Sequence, residues 1–563
     1  MSDTRTVTVA FGPLVHDADE THARLRLPTD ARRGQARLSA RPHRPAVARD
    51  ALLALGDVLA SDLRFKARDR ADYLAYLIAK GKGVSKAVWE AQREFLALKY
   101  DAATQAEEPL DPLVTVGEDA VRFEVLSRDE STHACLALRR PAAFATLDAT
   151  PGATHLDLSP ELLRTLGRVR SFRPLTLEIE PAAEAPAVER KVPLRWLRAF
   201  GQMAAAAALP TTVVPLAPVD VYNVLHHLRM HKARTSPRAL RYELVPGEAP
   251  RLVLEPWDAV TVGTGGPFTG RRPAVIRTWG RQRLAGLARL LPHAHAVRAH
   301  LGGPGLPAFY VVEGDDFTFT LSLSGWTDAG WGGITTFDQL TDPDPDGLLA
   351  RLTGLRVGLD LSKGTPYDRP LLATPLPADD LRYRDAREAA AHRLLATRGQ
   401  VAVAKVHDAP EGRTVEGRVD DREAHRSYAP SFTLDVEGKT SGALCTCATF
   451  RRSGVKEGPC EHLIAVRVLY GREQAALEAA RGTAEGRKVI RAETRTLYRR
   501  TDRGTETFRL SLDGRQVVAR FGHREPLRMQ RTLFATEPEA RAAYFRRLDE
   551  LERKVWLDGG SGV

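Results

Sequence analysis

Three of the four cysteines of this chain lie between Cys445 and His462, and they fall into two tight pairs with that histidine. Cys445 pairs with Cys447 and Cys460 with His462, each with one residue between. Three thiolates and one imidazole form a complete tetrahedral donor set for zinc, of the kind that closed structural sites use. Residues i and i+2 of an extended segment project to the same side. Cys445 and Cys447 can therefore grip one ion from the end of a strand. Cys460 and His462 open the apolar run Leu463 to Tyr470, which reads as a helix whose first turn presents the second pair. The Gly458-Pro459 step ahead of it is a turn and helix-start signal. Ser431 to Lys439 reads as a strand that turns at Gly438 and leads back through Leu444 into Cys445. A hairpin and a helix closed around one metal is thus the expected local fold. Ordinary core thiols do not explain this clustering in a chain with so few cysteines. A disulfide between cysteines one residue apart would close a strained loop.

The order Cys-x-Cys, spacer, Cys-x-His resembles the SWIM zinc finger. Here the spacer is Ala448 to Pro459, and Ala448 stands where many SWIM fingers carry proline. The resemblance implies Cys445, Cys447, Cys460 and His462 as ligands and Zn as the cofactor.

The rest of the chain limits what surrounds the finger. At 563 residues it is too long for one ordinary core, and three to five domains are expected. The expected class is α+β and multi-domain. No apolar run approaches the roughly 18 residues of a membrane helix, and the start has no signal-peptide core. A cytoplasmic location without membrane association is the expectation. A formal net charge of +11 favours partners that carry phosphates, though a whole-chain excess does not say where they bind.

Residues 1–110 are expected to hold an edge strand at Thr6 to Phe11, then helices over Ala51–Leu59, Asp69–Ala79 and Lys86–Lys99. Residues 111–190 read as a β-rich segment containing Ala120–Leu126 and Ala134–Leu138, with Cys135 as a small buried hydrophobe. Residues 191–375 read as an α+β domain. Leu194–Ala208 is its first expected helix and Asp220–Lys232 its second, with a further helix after Trp279. Its alternating strand Phe317–Leu323 has Phe317, Phe319, Leu321 and Leu323 on one face. The many aromatics between Leu252 and Trp326 are expected to fill the core. His227 and His231 would share a helix face, but the glutamate of a His-Glu-x-x-His motif is missing, since His227 is followed by Leu228. Residues 376–480 form the finger domain, with a helix over Asp385–Arg398, a strand over Val401–His407, and a terminal helix reaching Ala480 in broken form.

Residues 481–558 carry 19 Lys/Arg against 12 Asp/Glu, most of the excess charge in about a seventh of the length. Strands are expected at Thr496–Arg500, Phe508–Leu512 and Gln516–Gly522. Asp513-Gly514 makes the hairpin turn, and a helix runs from Glu537 to Lys554. This module resembles a WGR domain, an antiparallel sheet with a helix, although Phe521-Gly522-His523 stands where the name-giving Trp-Gly-Arg belongs. WGR domains of poly(ADP-ribose) polymerases contact DNA ends. The resemblance implies nucleic-acid contacts for Arg520, Phe521, Arg524, Arg528 and Arg531. Arg451, Arg452 and Lys456 of the finger loop are the other expected contacts. The competing reading makes Phe521 a core ring and the arginines a solvated face.

A further resemblance spans roughly residues 50–475. Leu63–Arg70, the segment at Trp279, Gly305-Leu306-Pro307 with Phe309-Tyr310, and Leu323 to Thr327 are similar to a bacterial SWIM-protein family. Its members are typically encoded beside MoxR-type AAA+ ATPases and von Willebrand A-domain proteins, which implies such partners. No phosphate loop, Gly-x-Ser-x-Gly elbow or His-Glu-x-x-His motif is present, and a closed Cys₃His site has no open coordination position for water. The expectation is a non-enzymatic, zinc-binding adaptor that binds nucleic acid, with DNA the expected polymer. The alternative is a purely protein–protein subunit of the AAA+/von Willebrand A system with a structural zinc. An enzyme hidden in residues 190–375 would need Asp220, His226, His227 and Asp315 to meet in space.

Overall fold

The computed structural model describes residues 4–33, 35–62, 111–180, 185–208, 210–234, 238–270, 273–302, 306–325, 357–372, 383, 386–409, 412–435, 440–455, 458–481, 483–490, 492–501, 504–523, 527–554 and 556–561. The expected helices Asp69–Ala79 and Lys86–Lys99 lie outside these residues, as do Leu63–Arg70, Gly305, Trp326, Lys456 and Arg524. The architecture is α+β, with several sheets and several domains. Among the described residues no helix is long and apolar enough to cross a membrane.

The N-terminal body is built on an eight-stranded sheet. Its order is Thr212–Leu216, Ala296–Leu301, Ala308–Glu313, Phe317–Leu323, Thr132–Arg139, Ala120–Leu126, Leu113–Val116 and Gly152–His155. Thr132–Arg139 pairs antiparallel with Phe317–Leu323 on one side and with Ala120–Leu126 on the other. The division expected near residue 190 therefore does not separate two units, because strands from both sides of it share this sheet. Strand Thr4–Val9 also crosses to pair with Val188–Pro193. One core joins Leu25, Leu52 and Leu55 to Phe123, Leu136, Tyr310 and Phe319. Alternation marks a residue as strand but does not record its partner, so long-range pairing and local hairpins look alike in sequence.

Of the aromatics expected in the core, Phe309, Tyr310, Phe317 and Phe319 are fully buried, whereas Trp257 and Trp279 are half-buried and Trp326 lies outside the described residues. Leu194–Ala207 and Pro218–Met230 form the expected helices. After Trp279 the expected helix is replaced by two 3₁₀ segments, Arg281–Leu287 and Leu291–His293. Gly280 enters the first with φ of +78°, and Pro292 occupies the second. Cys135 is half-buried with its Sγ 3.8 Å from the Tyr367 hydroxyl. It flanks a buried charge network in which Arg369 holds Glu124 at 2.9 Å.

The finger module follows. Helix α1 (Ala386–Ala396) precedes strands β1 (Val401–Ala409), β2 (Gly412–Asp421), β3 (Arg426–Tyr428), β4 (Ser431–Asp435) and β5 (Thr440–Leu444). The sheet order is β1–β2–β4–β5, with β3 pairing β2 beside β4. A short helix α2 (Ala448–Ser453) fills the spacer, and α3 (Glu461–Arg481) runs on without the expected break. Helix α3 lies on the sheet where Val415, Val419, Phe432 and Leu434 meet Leu463, Val466 and Tyr470. A Cβ at Gly417 would lie 2.5 Å from Val466, so the helix approaches this closely only because the residue is glycine.

The C-terminal module begins after the short helix α4 (Ala484–Val489). Strands β6 (Ala492–Thr501), β7 (Gly504–Asp513), β8 (Gln516–Gly522), β9 (Arg528–Leu533) and β10 (Leu557–Ser561) make an antiparallel sheet in the order β9–β8–β7–β6–β10. Helix α5 (Glu537–Arg553) covers one face, with Tyr544, Leu548 and Leu551 against Leu497, Phe508 and Leu510. Thr536 caps it by accepting from the Glu539 N–H. The module docks on the body through Tyr498. Its ring lies 4.8 Å from the Arg241 guanidinium, and its hydroxyl accepts from Arg277. Glu255 bridges both arginines, 2.6 Å from Arg241 and 3.1 Å from Arg277.

Candidate metal centre and basic surfaces

Strand β5 ends at Leu444, Cys445 follows directly, and Cys447 is in extended backbone with φ of −73° and ψ of 160°. Cys447 also serves as the N-cap of α2, its sulfur accepting from the Phe450 N–H at 3.3 Å. The chain leaves α2 through Gly454 at φ of +59° and turns again at Gly458, φ of +97°. Side chains with a Cβ rarely adopt either conformation. Pro459 follows, held by Arg387 of α1 on its carbonyl at 3.4 Å. Cys460 then starts α3 by accepting from the Ile464 N–H, and His462 lies in the first turn.

The four ligand atoms lie within 4.8 Å of one another, and all four residues are buried. Zinc–sulfur bonds of roughly 2.3 Å would set tetrahedral ligand atoms roughly 3.8 Å apart, so a small contraction closes the site. Both ring nitrogens of His462 are buried without a hydrogen-bond partner. Nδ1 is 3.6 Å from the Glu461 carboxylate, the kind of outer neighbour that orients a ligating imidazole. The sulfurs interact strongly with each other. Cys445 is lowered to about 4, first by a hydrogen bond from Cys460 and further by His462. Cys460 is pushed up because its S–H is held by Cys445, and then by burial. Burial raises Cys447. A divalent cation would favour the thiolate form of all three sulfurs. The group fits a metal ion, and it is the one such cluster among the described residues.

Beside the cluster, Tyr428 of β3 packs its ring on His462, with centroids 3.9 Å apart. Arg451 and Arg452 end α2 and are exposed. Arg426 of β3 faces the same groove. Sequence reasoning missed Arg426, Tyr428 and β2. For β2 the signal was present, since Val415, Gly417 and Val419 alternate as a buried row.

In the C-terminal module the expected contact residues divide between the two faces of the sheet. Phe521 points to the helix-covered face and stacks on Phe508, with centroids 5.5 Å apart and planes 12° from parallel. It is half-buried at the edge of the core. Arg520 lies on the opposite, open face, directly across from Arg509 on β7 and Met529 on β9. Arg531 shares that face and reaches Gln516 at 2.6 Å. Arg528 stands opposite Phe521 on the exposed edge strand. Two like charges opposite one another on neighbouring strands repel, and Arg509 is the member of the pair that sequence reasoning missed.

The residues considered for a hidden enzyme have separate partners. Asp220 caps its own helix at the Ala217 N–H and holds Thr264. His227 stacks on His231 at 4.3 Å and meets the edge of Trp257. Asp315 pairs with Arg44 and His295 at an exposed turn.

No family model matches the chain, and no curated protein matches it. Among solved structures it is similar to the crystal structure of proliferating cellular nuclear antigen from Entamoeba histolytica, at 8% sequence identity. That match has a TM-score of 0.34 and covers 52% of this chain and 99% of that one. A likeness so distant carries no functional conclusion.

Proposed function

We propose that this chain is a non-enzymatic zinc protein with a SWIM-type finger and a WGR-like C-terminal module, which binds nucleic acid, with DNA the expected polymer, and acts as an adaptor. The observation that carries the zinc reading is the buried Cys445, Cys447, Cys460 and His462 cluster with its orphaned imidazole nitrogens. Three sulfurs and one nitrogen, closed off from solvent, are a donor set that zinc takes in structural sites. Support for nucleic acid comes from the exposed arginines beside the finger and from Arg509, Arg520 and Arg531 on the open sheet face. The adaptor role, with MoxR-type AAA+ and von Willebrand A-domain partners, is inferred from the resemblance of residues 50–475.

The purified protein would be assayed for bound zinc and for binding to a linear duplex, a circular duplex and a single strand across salt concentrations. Stoichiometric zinc and affinity falling steeply with salt support the proposal, the slope reporting the phosphates contacted. The second reading, a purely protein–protein subunit of the same AAA+ system, is favoured by the core placement of Phe521. Zinc without nucleic-acid binding at low salt would select it.

A further inference from the structure

Strand β3 and helix α2 face each other across an open groove of about 620 Å³. Arg426, Ser427 and Tyr428 form one wall, and Thr446, Arg451 and Arg452 belong to the other. The three guanidinium groups have no ion-pair partner among the described residues. Arginine forks in this arrangement match phosphate oxygens. The Ser427 hydroxyl is committed to Asp420 at 2.7 Å. The Thr446 hydroxyl accepts from the Ala429 N–H at 3.1 Å, which leaves its own O–H to donate into the groove.

Tyr428 adds an aromatic surface. One side of its ring rests on the imidazole of His462, and the ring is half-buried, so it forms part of the groove rather than projecting from it. A groove of this volume belongs to the range of small-ligand sites and takes a short stretch of chain rather than a double helix. Bases stacked in a duplex cannot reach a recessed ring, whereas unpaired bases stack on such rings readily.

We infer that this groove is a single-stranded nucleic-acid subsite. Arg426, Arg451 and Arg452 take successive phosphodiesters, and Tyr428 carries an unpaired base. Because the ring leans on a metal ligand, the subsite forms only when the finger is closed on its ion. The inference rests on the nucleic-acid reading above and assigns its polymer form.

The test uses the full chain and fluorescence anisotropy with labelled dT12, U12 and a blunt 12-bp duplex, with metal content measured on every sample. The expected result is that dT12 or U12 binds more tightly than the duplex, with the comparison of the two showing whether DNA or RNA is preferred. Tyr428→Ala should weaken single-strand binding about 5- to 100-fold, while Tyr428→Phe, which keeps the ring, should retain it. The double variant Arg426→Ala/Arg452→Ala should keep its metal, lose single-strand affinity at least 10-fold and show a shallower salt slope. If that double variant and Tyr428→Ala bind single strands like the parent protein, the subsite assignment is overturned while the general nucleic-acid reading stands. Equal displacement of dT12 by heparin and by unlabelled dT12 would also overturn it, leaving only a generic polyanion patch. If the parent protein binds none of the three probes, both readings fall together.

Discussion

The finger and the C-terminal module are both antiparallel sheets covered by a helix, yet they are closed in different ways. The C-terminal module has an ordinary apolar interior, with Leu497, Phe508, Leu510, Tyr544, Leu548 and Leu551 buried between sheet and helix. The finger has an apolar half as well, but its other half is three sulfurs that hydrogen-bond to one another and to the Phe450 N–H, beside an imidazole whose ring nitrogens are buried without partners. Burying such groups is unfavourable unless something satisfies them. The C-terminal module has an ordinary apolar core and no such cluster among its described residues. The finger module encloses a buried group that fits a metal ion.

The largest expected effect separates the two directly. Cys447→Ser or His462→Ala removes one of four ligands. The ion should be lost, and with it metal-coupled folding worth about 10–16 kcal/mol in isolated zinc-finger peptides. Elemental analysis should show no bound metal. Hydrogen exchange should accelerate across residues 440–466 but not across 504–522. Stoichiometric metal in either variant would remove that residue from the ligand set.

Phe508→Ala is the converse change. This ring is buried against Phe521 and Trp556, and its loss should destabilise the C-terminal module by about 3–5 kcal/mol. The finger should keep its metal and its protection, so a parallel loss of metal would mean that the two modules fold as one. Gly417→Ala strains the finger without touching a ligand. The new methyl would meet Val466, and overpacking of this kind costs about 1–3 kcal/mol. Weaker zinc retention against a chelator is the expected readout, and unchanged retention would show that α3 can shift to relieve the contact.

The smallest effect concerns the open sheet face. Arg520→Glu replaces a repulsive pair with Arg509 by an attractive one and should stabilise the module by about 0.2–1 kcal/mol in thermal unfolding. The same substitution should weaken duplex binding and reduce the salt slope by about 1. Gained stability with unchanged binding would remove this face from the nucleic-acid surface.

Legibility in the sequence followed the same division. The Cys₃His cluster was readable because metal chemistry requires particular residue types at short spacing, and strand β5 and helix α3 bring the four residues together as a group that fits a metal ion. The α5 helix and the β7–β8 hairpin were readable from periodicity and from Asp513-Gly514. Strand β9 was missed because all six of its residues are exposed, leaving no apolar alternation to read. The short helix α2 was hidden in what reads as a spacer, since its six residues make fewer than two turns, too few to show a periodicity. Arg509 gave no signal of its own, because nothing local distinguishes it from a solvated surface arginine.

What the chain determined by itself was local: which residues can hold a metal, which segments have strand or helix period, and where turns must fall. These depend on side-chain chemistry and backbone preference within a few residues. Only the tertiary structure decided that strands on both sides of residue 190 share one sheet, that Phe521 faces the core while Arg520 faces out, and that Tyr428 rests on His462 of the Cys₃His cluster. Each of these follows from pairing between distant segments. The register of such a pairing is set by the burial of whole faces at once, which no local window of sequence contains.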